Sequence, residues 1–121
     1  MQIVSYNVNG IRSATSKGLL NWMEERKADV YCFQDTKADR SQLDHAPFDF
    51  FGYNSYWFSA QKKGYSGVAI FTKHKPDNVV FGFDDPEFDS EGRIIRADFG
   101  DTSIISVYIP SGSSGEERQA Y

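Results

Sequence analysis

The first strand-like segment and the two elements after it constrain the fold most strongly. Residues 3–8 mix apolar and polar side chains over the length of a strand, and Asn9-Gly10 then interrupts regular structure. Asn-Gly is also the favoured pair of a type I′ turn, which makes a hairpin the alternative. However, residues 17–27 carry apolar side chains at helical spacing, and residues 29–33 form an apolar run. Strand, helix and strand in succession predict a crossover unit, with Asn9-Gly10 at the exit of the first strand.

The rest of the chain favours strands joined by polar loops. Residues 38–52 are polar and then aromatic, and we expect a short helix or an irregular segment there. Glycine, serine and acidic residues separate the later apolar runs, and a Gly100-Asp101 turn indicates a hairpin. The predicted strands are residues 53–60, 68–72, 79–83, 93–99 and 103–110, and a helix is predicted to begin at residue 116.

Composition limits the class of protein without fixing its partner. A length of 121 residues corresponds to about one small domain, and 25% charged with 40% hydrophobic residues is ordinary for a globular protein. The net charge of −4 argues against a generally basic nucleic-acid binder. An acidic protein can still bind DNA where its carboxylates hold metal and its few basic side chains cluster. The 10 Phe, 7 Tyr and 2 Trp suit both β-structure and surfaces on which bases stack.

The single cysteine and the apolar runs bear on location. Cys32 has no partner for an intrachain disulfide, which favours a reducing compartment, and its apolar neighbours predict a buried side chain. We find no signal-peptide pattern and no apolar run near the length of a membrane span. The first strand begins at residue 2 or 3, which leaves no room for a leader. We therefore expect a cytoplasmic protein that has no membrane partner.

Five short motifs occur in a fixed order along the chain. They are Ser5-Tyr6-Asn7-Val8-Asn9-Gly10-Ile11-Arg12, Gln34-Asp35-Thr36-Lys37, Gly64-Tyr65-Ser66-Gly67-Val68-Ala69, Glu91-Gly92-Arg93-Ile94-Ile95 and Val107-Tyr108-Ile109-Pro110. In order and spacing they resemble exonuclease III and the related abasic-site endonucleases, within the endonuclease/exonuclease/phosphatase superfamily that includes DNase I. The resemblance covers essentially all of residues 1–121, which look like the N-terminal half of such an enzyme. It implies an α/β fold that is part of a DNase I-like, four-layer α/β/β/α sandwich.

The resemblance also implies which residues form the site. Asn7 matches the asparagine that lies near metal and scissile phosphate, and Asp35 takes the position of the principal metal carboxylate. Tyr108 matches the active-site tyrosine whose hydroxyl contacts the phosphate. The implied cofactor is Mg²⁺, for which Mn²⁺ can substitute, and the implied partner is double-stranded DNA with abasic sites or 3′ ends. The implied DNA-contacting residues are Asn9, Lys37, Tyr65, Ser66, Arg93 and Ser111.

Residue chemistry agrees with these roles, but the sequence departs from the family pattern. Phosphodiester hydrolysis uses a hard cation with oxygen ligands, and a tyrosine hydroxyl can donate to a developing phosphorane oxygen. Asp35 is one methylene shorter than the glutamate usual at its position, and Ser111 stands where relatives often carry asparagine. The catalytic Gly-Asp-x-Asn and Ser-Asp-His segments of the family cannot be mapped onto these residues.

The resemblance therefore implies a Mg²⁺-dependent DNA-repair nuclease that incises DNA at abasic sites and degrades it from 3′ ends. If residues 1–121 act alone, we expect no efficient hydrolysis, because the later catalytic groups are absent. The alternative is a non-catalytic, nucleic-acid-binding or regulatory member or fragment of the same superfamily. A third interpretation is another phosphodiesterase of the superfamily that acts on lipid or nucleotide substrates. A half-sandwich would expose an apolar sheet face, and we then expect self-association.

Overall fold

Two β-sheets lie face to face, and helices cover the outer surface of one of them. The computed structural model describes residues 1–109. The helices are α1 (Ile11–Ser16), α2 (Leu19–Arg26), α3 (Ala46–Phe50) and α4 (Pro86–Asp89), and a 3₁₀ turn spans Arg40–Gln42. The strands are β1 (Ile3–Asn7), β2 (Val30–Gln34), β3 (Asn54–Phe58), β4 (Val68–Thr72), β5 (Asn78–Phe81), β6 (Ile94–Phe99) and β7 (Thr102–Val107).

The first sheet contains the predicted crossover. Its strand order is β1-β2-β4-β3, with β1 parallel to β2 and the other neighbours antiparallel. In β1 and β2, Ile3 is opposite Val30 and Asn7 is opposite Gln34, so both strands finish at the same end of the sheet. Helices α1 and α2 connect them, and the strand-helix-strand prediction is confirmed.

The second sheet is an antiparallel meander of β5, β6 and β7. Phe99 is opposite Thr102, so Gly100 and Asp101 form a two-residue loop, and the predicted hairpin is confirmed. Gly100 has a φ of 59°, which a tight turn of this kind requires.

Two apolar cores separate the three layers. The first lies between helices and the first sheet and includes Ile11, Met23, Tyr31, Phe33 and Phe71. The second lies between the sheets and consists of Val30, Cys32, Val68, Ile70, Ile95, Ala97 and Ile104. Strands β2 and β4 face both cores and are buried at every position, which explains their continuous apolar sequences. The prediction that Cys32 is buried is confirmed, and burial raises the pKa of its thiol to about 11.

The largest difference from the predicted elements is helix α1. Residues 11–16 lie before the predicted helix of residues 17–27, and serine, threonine and isoleucine are only moderate helix formers. Tertiary contacts supply what propensity lacks: the Ile11 side chain is fully buried and its amide donates to the Thr36 carbonyl at 2.9 Å. Gly10, with a φ of 95°, makes the turn from β1 into this helix.

The outward face of the second sheet carries exposed apolar side chains. Ile105 is 49% exposed and Val107 is 40% exposed. Self-association through such a face stays a prediction. No helix within residues 1–109 is long and apolar enough to cross a membrane.

Candidate active site at one end of the sheets

Several motifs of the sequence meet where β1 and β2 end. Because β1 and β2 are parallel, Asn7 at the end of β1 and Asp35, just after β2, lie at the same end of the sheet. Strand β4 is antiparallel and starts at Val68, opposite Gln34, so the loop that holds Tyr65 and Ser66 lies there too. We call this end of the two sheets the site end.

The second sheet is joined to the first at the site end. The Ser106 hydroxyl donates to the Phe33 carbonyl at 3.0 Å and accepts from Gln34 Nε2 at 3.1 Å. Tyr108 follows two residues later, and its amide donates to the Arg93 carbonyl at 2.8 Å. These bonds bring the end of β7, and with it Tyr108, to the site end.

Backbone hydrogen bonds connect the loops of the site end to one another. The Gly10 amide donates to the Asp35 carbonyl at 2.8 Å. On the other side of the same loop, the Lys37 amide donates to the Ser66 carbonyl at 2.8 Å and the Thr36 amide to the Gly67 carbonyl at 3.1 Å. The loop after β2 is therefore held between the loops that flank β1 and β4.

The same loops hold residues in an unusual backbone conformation. Residues 1–109 contain six non-glycine residues with positive φ, and four of them lie here: Asn9 (48°), Asp35 (56°), Lys37 (54°) and Ser66 (55°). This left-handed region is uncommon for side chains other than Asn, Asp and Gly, and it costs roughly 1–3 kcal/mol per strained residue. Such residues cluster at functional sites, where the surrounding structure fixes them.

The polar side chains of the site end interact with one another. Lys37 Nζ donates to Asn9 Oδ1 at 2.7 Å and lies 3.9 Å from Asp35 Oδ2. Asn7 Oδ1 accepts from the Asn9 amide at 2.9 Å. Asn7 and Asn9 are exposed, whereas the Asp35 side chain is only 11% exposed. One carboxylate, two carboxamides and one ammonium group thus face a common region.

The Asp35 carboxylate and the Asn7 amide oxygen are ligands of the kind that a hard divalent cation binds, although two ligands do not complete its coordination. Mg²⁺ prefers carboxylate and carbonyl oxygens and keeps several waters. Asn7 Oδ1 accepts one hydrogen bond and retains a second lone pair. No group of three or more His, Cys, Asp or Glu side chains that could hold a metal occurs within residues 1–109.

Two of the predicted DNA-contacting side chains are buried. Ser66 and Arg93 are each 1% exposed, and the Ser66 hydroxyl has no hydrogen-bond partner among residues 1–109. Arg93 Nη2 donates to the Tyr65 hydroxyl at 3.4 Å and lies 3.7 Å from Glu91 Oε1. Tyr65 and Tyr108 are half-buried. Direct DNA contact stays a prediction for all these residues, and burial points to an indirect contribution from Arg93.

One predicted residue lies outside the described part of the chain, and one residue that hydrogen-bonds across the two sheets had no predicted role. Ser111 falls beyond residue 109. Gln34 begins the motif Gln34-Asp35-Thr36-Lys37, but the sequence predicted no function for it. Its side chain is within hydrogen-bond distance of both Ser5 and Ser106. A polar residue directly after the apolar run of a buried strand was the available signal.

Comparisons with known proteins agree with this geometry. A model of the endonuclease/exonuclease/phosphatase family matches residues 4–121. An exodeoxyribonuclease of Bacillus subtilis is 41% identical over all of this chain and 47% of its own length, and the DNA repair nuclease APEX1 of Danio rerio is 38% identical over 40% of its length. The chain thus spans less than half the length of these relatives.

A solved structure extends the likeness to the fold. An AP endonuclease from Archaeoglobus fulgidus superimposes with a TM-score of 0.82 at 34% identity, over 99% of this chain and 46% of that protein. The predicted α/β, DNase I-like fold is therefore confirmed. The family match covers nearly every residue, and the chain belongs to the endonuclease/exonuclease/phosphatase family.

Proposed function

We propose that this chain supplies one side of the active site of a divalent-metal-dependent DNA-repair nuclease of the exonuclease III type. The reaction is hydrolysis of a phosphodiester, 5′ to an abasic site or at a 3′ end. The observation that carries the proposal is the convergence of Asn7, Asp35, Lys37 and Tyr108 at the site end, through parallel pairing of β1 with β2 and through Ser106.

Asp35 and Asn7 would hold the cation, preferably Mg²⁺ with Mn²⁺ as a substitute. When bound, such an ion polarises a phosphate oxygen and neutralises developing charge. Asp35 is held with its backbone carbonyl bonded to Gly10 and its side chain beside Lys37. Asn7 adds an amide oxygen without adding charge.

Lys37, Tyr108 and Tyr65 would act on the DNA. The bond from Lys37 Nζ to Asn9 keeps a positive charge at the site end, where it can attract a phosphate. The Tyr108 hydroxyl can donate to a phosphate oxygen. The hydrogen bond from the Tyr108 amide to the Arg93 carbonyl fixes the backbone of this residue at the site end. Tyr65 can place its ring against the DNA, and Arg93 Nη2 donates a hydrogen bond to the Tyr65 hydroxyl.

Double-stranded DNA with abasic sites or 3′ ends is the substrate that the relatives support. Those relatives are described as an exodeoxyribonuclease, a DNA repair nuclease and an AP endonuclease. The chain covers less than half the length of these relatives. A DNA-binding measurement therefore tests the contribution of residues 1–121 more directly than a measurement of catalytic turnover does.

The test measures fluorescence anisotropy of a labelled duplex that carries one tetrahydrofuran abasic-site analogue, with an undamaged duplex beside it. We expect Mg²⁺ to tighten binding of the abasic duplex and EDTA to reverse the gain. Asp35→Asn should reduce this Mg²⁺-dependent gain by about tenfold or remove it, since a charged metal ligand is lost.

Asp29→Asn is the matched control, and it is compared with Asp35→Asn at equal fractions folded. Asp29 lies directly before β2, at the end opposite Asp35, and its replacement should leave the gain of the folded protein unchanged. DNA binding that depends on neither Mg²⁺ nor Asp35 would overturn the nuclease proposal and favour the non-catalytic, nucleic-acid-binding alternative. Equal losses in the two folded variants would also overturn it, since the effect would then not be specific to the site end.

A further inference from the structure

Gln34 places an amide at the site end of the apolar core between the two sheets. It is 8% exposed, and its Nε2 lies 3.0 Å from Ser5 Oγ, 3.1 Å from the Cys32 carbonyl and 3.1 Å from Ser106 Oγ. An NH₂ group has two hydrogens, so these three acceptors share two donors. A buried amide without partners would cost about 1–3 kcal/mol, and two of the three acceptors that spare Gln34 this cost belong to other strands.

The orientation of the Ser106 hydroxyl makes the arrangement directional. Its hydrogen is donated to the Phe33 carbonyl at 3.0 Å, which leaves its oxygen to accept from Gln34. Strand β7 is therefore bonded to β2 twice, once to the backbone of Phe33 and once to the side chain of Gln34. We call Gln34 and Ser106 the intersheet clamp.

The clamp lies directly beside residues of the proposed site. Asp35 is the next residue after Gln34, and Tyr108 lies two residues after Ser106. Ser5 connects Gln34 to β1, whose last residue is Asn7. The three strands that present Asn7, Asp35 and Tyr108 therefore meet at one carboxamide.

We propose that Gln34 is a positioning residue, which fixes the separation between the Asp35 carboxylate and the Tyr108 hydroxyl. The positioning role rests on the proposed function. The clamp itself concerns only the distance between β2 and β7. Sheet-to-sheet packing by apolar side chains is non-directional and permits small shifts, whereas two hydrogen bonds of fixed geometry do not. A phosphate held between Asp35 and Tyr108 requires that precision.

The test removes the hydrogen bonds of the clamp with substitutions that change each side chain by no more than one heavy atom. Gln34→Met conserves shape but removes the amide, Ser106→Ala removes its partner, and Ser106→Thr retains the hydroxyl. Thr72→Val is the matched control: Thr72 is fully buried on β4 at the opposite end, and its hydroxyl donates to the His74 carbonyl at 2.9 Å. All variants are compared at equal fractions folded.

Nuclear Overhauser contacts between residues 33–35 and residues 106–108 report the clamp without DNA or metal. We expect Gln34→Met and Ser106→Ala to weaken these contacts while contacts within the β6–β7 hairpin persist. Ser106→Thr and Thr72→Val should preserve both sets. Unchanged contacts in Gln34→Met would overturn the clamp, whatever the nuclease assays give.

Binding of the abasic duplex gives the second measurement. The Mg²⁺-dependent gain in affinity should fall about tenfold in Gln34→Met and in Ser106→Ala, with no further loss in the double variant. Additive losses, or an equal loss in Thr72→Val, would overturn the positioning role. If wild-type protein shows no Mg²⁺-dependent gain, the proposed function fails, and intersheet contacts still decide the clamp.

Discussion

Strand β2 has an aspartate at each end, and the structure uses the two in different ways. Asp29 precedes the strand and Asp35 follows it. The Asp29 carboxylate holds structure together: Oδ2 accepts from the Gln2 amide at 2.7 Å, and Oδ1 lies 2.9 Å from His74 Nε2. The bond from the Gln2 amide, followed by that from His74, lowers the pKa of Asp29 below its ordinary value of 3.8. Asp29 thus connects the starts of β1 and β2 to the turn after β4.

Asp35 differs from Asp29 in its carboxylate rather than in its backbone. The main chain is hydrogen-bonded in both residues: the Asp29 amide donates to the Gln2 carbonyl and the Asp29 carbonyl accepts from the Lys73 amide, while the Asp35 carbonyl accepts from the Gly10 amide. The Asp35 carboxylate, however, lies 3.9 Å from Lys37 Nζ, and the Asp35 backbone is left-handed. The Asp29 carboxylate therefore joins structural segments, whereas the Asp35 carboxylate lies among the polar side chains of the candidate site. We refer below to the end of the sheet that contains Asp29 as the far end.

The largest expected difference in stability between the site end and the far end concerns one glycine at each end. Gly67 at the site end has a φ of 94°, and a Cβ there would lie 2.4 Å from the buried Thr36 Oγ1. Gly52 at the far end has a φ of 88° with no atom within 4 Å of such a Cβ. We expect Gly67→Ala to lower the free energy of unfolding by about 2–4 kcal/mol and Gly52→Ala by about 1–2 kcal/mol. Urea denaturation measures both, and equal losses would mean that the site end is no more tightly packed.

Local patterns were enough to predict much of this framework. The apolar run of β2 indicates a buried strand and the Gly100-Asp101 turn indicates a hairpin, each within a few residues. Helix α1 was missed because it depends on burial of Ile11 and on a bond to Thr36, which are tertiary facts.

The site was harder to predict because its geometry is long-range. Gln34 and Ser106 are 72 residues apart, and no period in the sequence relates them. The left-handed conformation of Lys37 opposes its local preference and is imposed by neighbouring loops. The roles proposed for Asn7 and Asp35 came from the family resemblance, since an asparagine or an aspartate at a strand end is ordinarily a turn residue.

An intermediate difference is expected in acid. Because the pKa of Asp29 is lower in the folded chain than in the unfolded chain, its carboxylate stabilises the fold above about pH 4, and this contribution is lost as the pH falls through the folded pKa. Asp29→Asn should therefore lower the Tm at neutral pH and flatten the acid limb of a plot of Tm against pH. Thermal unfolding followed by circular dichroism measures this curve. An acid limb as steep as that of the wild type would assign the dependence to other carboxylates.

The smallest effect on stability, with a distinct effect on binding, is expected for lysines at the two ends. The Lys37 side chain is 42% exposed, and its Nζ lies 3.9 Å from Asp35, so Lys37→Met should change the free energy of unfolding by no more than about 0.5 kcal/mol. If Lys37 faces a phosphate, the same substitution should reduce the slope of log affinity for DNA against log salt by about 1. Lys73 at the far end, whose Nζ lies 5.2 Å from the centre of the Tyr53 ring, provides the control, and Lys73→Met should leave the salt slope unchanged. Because the two substitutions remove the same charge from the protein, a change common to both would reflect net charge, whereas a change confined to Lys37→Met would assign the DNA to the site end.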